Sequence, residues 1–175
     1  MTLSLYQSSV PVFERSLRAL LVILDKAELH AKARNFDATN YLGLRLAPDM
    51  LPFVRQVQIA CDNAKNAPSR LAGVAAPAFE DKEATFAELR DRIGRTLDYL
   101  ATLDAKAIDA ATEREVVFPA GPNVKFRMQG GNYLLHYVLP NFYFHLVTAY
   151  DILRSAGVDV GKRDFLGAVP GIEQV

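Results

Sequence analysis

Apolar positions recur with helical spacing over most of this chain. Phe13, Leu17, Leu20, Leu21, Leu24 and Ala27 follow Pro11, and Ser8 or Ser9 stands where a cap belongs, which predicts a first helix over 10–34. Residues 35–40 read as a turn and 41–46 as a short helical or extended connection. Leu51, Phe53, Val57, Ala60, Cys61 and Ala64 predict a second helix. Asp49 is its expected cap, Pro52 is tolerated in the first turn, and Pro68 is expected to kink or interrupt the end. After a long connection through Pro77, Thr85 and Glu88 match a capping box. Phe86, Leu89, Ile93, Leu97 and Leu100 then form one stripe, with Arg90, Asp91, Arg92 and Arg95 largely on other faces. Residues 115–118 and 124–128 flank turn chemistry at 119–123 and predict a hairpin. The last helix is expected from Asn132 through Pro140, which should bend it, to about Ser155 and Gly157.

These elements describe an all-α fold, an antiparallel bundle of four long helices with crossovers and a small β-hairpin before the last helix. At 175 residues, with half of them hydrophobic, the chain is expected to be a single domain over 1–175, with 158–175 as an ordered turn and loose tail. The 20 basic and 20 acidic residues cancel without blocks of like charge, so no nucleic-acid partner is expected. No apolar run reaches the roughly 20 residues of a bilayer span. The first eleven residues lack a signal-peptide pattern, and the lone Cys61 forms no internal disulfide. No membrane association and a cytoplasmic location are the expectation.

The candidate chemistry centres on His145, which sits among Phe142, Leu146, Thr148, Ala149 and Ile152. An imidazole in such surroundings needs a partner, and the expected one is a carboxylate of the second helix, Asp49 or Asp62. Gln58 stands one turn before Asp62, and Asn141 one turn before His145, as candidate ligand-binding amides. His145 with Asp49 or Asp62 forms the candidate catalytic set, as general base or weak metal site. His136 and His145 lie nine apart and point roughly 180° from each other, so they make no metal-binding pair. His30 reads as a solvated helix residue and Cys61 as inert packing.

The runs 49–53, 56–65 and 70–73, and the stretch from Pro140-Asn141-Phe142-Tyr143-Phe144-His145 to Gly167, resemble the DinB/YfiT-like superfamily, and within it domain-of-unknown-function family 1993. The resemblance covers nearly the whole chain. It implies a four-helix bundle in up-down-down-up order, commonly a homodimer. Better-known members hold a divalent metal with one histidine from the second helix and two, spaced by four, from the last; some are thiol-dependent transferases or isomerases. Here the second helix has no histidine and the positions four before and after His145 are Asn141 and Ala149, so only His145 carries over. No three-histidine metal site is therefore expected. The expected function is a dimeric small-ligand-binding or interaction module. The alternative is a divalent-metal-dependent or His/carboxylate transferase or isomerase with a degenerate metal site.

Overall fold

The computed structural model describes residues 4–173, so the outermost ends of the N-terminal stretch and of the expected loose tail lie outside the described residues. The elements in chain order are α1 (Val10–Ala33), a 3-10 turn (Ala38–Tyr41), α2 (Phe53–Ala72), α3 (Phe86–Leu100), α4 (Ala105–Asp109), β1 (Glu115–Pro119) and β2 (Lys125–Gln129). They continue with α5 (Gly130–Asn132), a π-helical segment (Tyr133–Val138), α6 (Leu139–Ser155) and α7 (Lys162–Leu166). Together α5, the π segment and α6 form one uninterrupted last helix.

The stripes read from the sequence face one another. Phe13, Leu17, Leu20 and Leu24 of α1 meet Phe53, Val57 and Leu71 of α2, Leu89 and Ile93 of α3, and Phe142, Leu146 and Ile152 of α6 in the buried core. Each such side chain contributes about 1.5–3 kcal/mol by leaving water. Small residues at Ala60, Ala64 and Ala67 let α2 approach α6, its most extensive packing partner.

Side-chain pairs fix the helix directions. Asp62 meets Arg92 and Ser69 meets Tyr99, so α2 and α3 run parallel. Phe13 packs on Phe142 near the start of α1, and His30 lies beside Gly157 near its end, so α1 and α6 also run parallel. Gln56 meets His145 while Arg70 meets Tyr133, so α2 and the last helix are antiparallel. The order is up-down-down-up. This is the order that the resemblance implies, and the crossover falls at the parallel α2–α3 pair, where the sequence has its long connection. The 73–85 connection carries the chain back along α2, roughly 30 Å at 1.5 Å per residue.

Other local expectations are also corrected. Asp49 is exposed and does not cap α2, which starts behind Pro52 with no side-chain cap. Pro68 does not end α2; the helix continues to Ala72. It stops at Gly73, whose positive φ allows Val74 N–H to reach Ser69 O and Gly73 N–H to reach Arg70 O. Thr85 caps α3 as its spacing predicts, accepting from Glu88 N–H. The last helix begins two residues early, at Gly130. Pro140 has no amide to give the His136 carbonyl and its ring crowds it, and the turn upstream is wound as a π helix.

The hairpin pairs Glu115 with Gln129 through Pro119 with Lys125. Phe118 turns inward and packs in tilted contact on Tyr133 and Tyr137 of the π segment, with ring centroids 4.7 and 4.6 Å away. The glycine-bounded 161–167 motif forms α7, clasped to α1 by Lys26–Asp164 at 2.8 Å. Among the described residues no helix is long and apolar enough to cross a membrane.

Candidate functional site

Polar contacts cross the α2–last-helix seam from Gln56, Asn63 and Arg70, each seven residues from the next and so on one helix face. Gln56 meets His145 at 2.7 Å, Asn141 Nδ2 donates to Asn63 Oδ1 at 3.3 Å, and Arg70 donates to the Tyr133 hydroxyl at 2.8 Å.

At the buried contact, the Gln56 amide nitrogen donates to Leu51 O at 2.9 Å, which turns its oxygen toward the imidazole. His145 Nδ1 is therefore the protonated nitrogen and donates. His145 is 9% exposed. Burial, with a smaller push from the Arg55 charge, holds its pKa below the ordinary 6.5, so the ring is neutral. The expected carboxylate partner is corrected to a neutral amide: neither Asp49 nor Asp62 bonds to it.

Asp62 instead accepts from Arg92 at 2.9 Å and Lys65 at 3.1 Å. Arg92, placed off the main face by its spacing, is 0% exposed. Its guanidinium also meets Asp81 and Glu83, each at 3.0 Å, and the Glu80 carbonyl. Burial disfavours its charge, but Glu83 and Asp62 outweigh this and its pKa is raised. Gln58 belongs to the same network, accepting from Arg55 and donating to Glu83, both at 2.6 Å. Gln58 therefore serves to fasten the 79–83 segment to α2.

Beside this network, α2, β1 and the last helix enclose a cleft of about 170 Å³. Asp62, Asn63, Asn66 and Arg70 line it from α2, Tyr137 and Asn141 from the last helix, and Phe118 with Pro119 closes the hairpin side. The candidates Asn141 and Asp62 thus come together here. His145 lies one turn beyond Asn141, Gln58 joins the Arg92 network, and Asp49 stands apart. His136 is exposed. His30 is half-buried with Nδ1 2.5 Å from the Tyr41 hydroxyl, a correction to its reading as a solvated residue.

The divalent-metal centre implied by the resemblance does not fit this donor set. Near His145 stand the neutral amides Gln56 and Asn141, with Ala149 on the following turn. Among the described residues no cluster of three or more His, Cys, Asp or Glu side chains is arranged to hold a metal. Cys61 is buried, and burial, only partly offset by Arg92 and a bond from Thr96, pushes its thiol up to about 12. Sequence reasoning missed Gln56, Asn63, Asn66, Arg70, Tyr137 and Arg92. The sevenfold spacing of 56, 63 and 70 was a readable signal, indistinguishable by itself from a solvated face.

The chain matches the family model for a domain of unknown function, DUF1993, over residues 5–166. It is similar to the crystal structure of a DinB family member protein from Shewanella denitrificans, with 40% sequence identity and a TM-score of 0.90, over 97% of this chain and 96% of that one. No curated protein matches it.

Proposed function

The chain belongs to the DUF1993 family and shares the fold of a DinB family member, and on that premise we propose that it is a small-ligand-binding module whose site is the cleft between α2 and the last helix. One observation carries this reading: Asn63, Asn66, Asn141, Tyr137 and Arg70 converge on a concave space of about 170 Å³ beside a π-helical segment. Such segments widen a helix locally and recur at functional sites. The test is a thermal-shift and NMR screen of small polar compounds against the full chain. Binders are expected to perturb the side-chain amides of Asn66 and Asn141 and to lose their effect in Asn141→Leu, which fills the cleft. Binders that map elsewhere, or keep full effect in that variant, would overturn it.

The module is proposed to work as a homodimer in the cytoplasm, with all of 1–175 as one domain. Support for the single domain is a core shared from Leu5 to Val160; a lone, buried cysteine, Cys61, accords with the compartment. Support for the dimer is the outer face of α6, where Pro140, Phe144 and Val147 recur at helical spacing, with Phe144 57% and Val147 40% exposed. A stable pair buries about 800 Å² per partner. Light scattering over a concentration series is expected to give a dimer that Phe144→Glu converts to monomer. A wild-type chain that stays monomeric throughout would sink the dimer. The transferase or isomerase alternative is not adopted, because His145 leans on a neutral amide rather than a carboxylate or a ligand set.

A further inference from the structure

The two charges lining the cleft, Asp62 and Arg70, are paired to different degrees. Asp62 is the cleft's one acidic lining residue, and its carboxylate pairs with Lys65 and with Arg92, which it shares with Asp81 and Glu83. Arg70, opposite in sign, gives one N–H to the neutral Tyr133 hydroxyl and has no carboxylate within ion-pair reach among the described residues. Among the described residues its remaining donors have no partner. Asn66 accepts from Lys65 Nζ through Oδ1 at 3.1 Å, which leaves its NH2 unengaged. The Tyr137 hydroxyl makes no hydrogen bond among the described residues and adds a third donor. Donors and one guanidinium without a carboxylate partner therefore face a space whose single carboxylate is already ion-paired.

We propose that this cleft receives the oxyanion head, carboxylate or phosphate, of a small ligand through Arg70, Asn66 and Tyr137. The proposal rests on the cleft reading above and names its ligand class. A guanidinium fork suits either head. The space of about 170 Å³ holds an oxyanion head with room to spare.

The experiment is an NMR titration of the full chain with sodium acetate and with inorganic phosphate, against sodium chloride at matched ionic strength. The Arg70 Nε–H and Asn66 side-chain resonances are followed. A saturable shift with either oxyanion, absent with chloride, is expected; acetate alone assigns a carboxylate ligand and phosphate alone a phosphorylated one. Arg70→Gln should weaken binding about tenfold or more and Arg70→Lys should restore part of it. Asn66→Asp, nearly isosteric, should abolish binding while leaving the melting temperature unchanged, which separates charge from folding. Shifts that chloride reproduces, or binding unaffected by Arg70→Gln and Asn66→Asp, would overturn the oxyanion. Neutral compounds that bind the cleft and are displaced by Asn141→Leu would then leave the cleft reading standing alone. Oxyanion shifts confined to the groove of Arg15, Arg18 and Arg163 would overturn both the site and its ligand class.

Discussion

His145 holds its place through one proton. Nδ1–H donates to Gln56, and truncation to Ala leaves both a cavity and an unpaired buried amide oxygen. His145→Ala is expected to cost about 2–4 kcal/mol in urea denaturation. His145→Gln should cost less, because its amide can restore a donor. The folded pKa lies below the unfolded 6.5, so the folded state binds fewer protons. This contribution is complete above pH 6.5 and is lost as pH falls from there through the folded pKa. A stability profile in which wild type and His145→Gln show the same slope below pH 6.5 would contradict it. Cys61 offers a second residue-scale check: with its thiol pushed up to about 12 and buried, it should react with a thiol reagent only on unfolding. Burial of both residues was legible in their apolar neighbours. The amide partner of His145 was not, because Gln56 lies 89 residues away and only packing brings it there.

Two glycines separate what an element requires from what it tolerates. A Cβ at Gly130 would overlap the Ala111 carbonyl oxygen, while its own N–H donates to Arg114 O where the hairpin joins the last helix. Gly130→Ala is expected to destabilise by about 1–3 kcal/mol, since a backbone must move. In α3, Gly94 has open space around its Cβ position, and Gly94→Ala should stabilise by about 0.5–1 kcal/mol through helix propensity. Thermal melts of the two variants are expected to shift in opposite directions. The capping residue Thr85 and the stripe of α3 could be read from spacing. The π segment could not, because its winding answers the lost Pro140 amide and the packing of Phe118 on Tyr133 and Tyr137 together.

At the scale of the molecule, the Arg92 network decides how the long 73–85 connection lies. Arg92 ties α3 to Asp62 on α2 and to Glu80, Asp81 and Glu83 of the connection, and Phe79 lies over the cations of Lys65, Arg92 and Arg95. Arg92→Met leaves Glu83 buried without its cation, an expected loss of about 3–5 kcal/mol. Amide exchange should rise most over residues 79–84. Uniform exchange, or unchanged stability, would show that the connection is held by other means. Burial raises the Asp81 carboxyl, but Arg55 and Arg92 together hold it below its ordinary 3.8. Its contribution is present above that value and fades as pH falls through the folded pKa, so the connection should loosen first in acid.

Helix phase, the Thr85 cap, the hairpin turn and the buried stripes are local properties, set by side chains a few residues apart. These the sequence determined: α1 falls within a residue of its expected ends, α3 starts behind its expected cap, and the Phe86–Leu97 face is buried. Tertiary structure alone decided the partners. Arg92 reads as a surface charge until α2 and the 79–83 segment close over it. Asp62 reads as a general base until Arg92 and Lys65 pair with it. Asn63, Asn66 and Arg70 read as solvated polar residues until an antiparallel helix and a hairpin enclose them with the candidate Asn141. Each of these outcomes depends on groups far apart in sequence, whose meeting is fixed by the order and direction of the helices rather than by any local spacing.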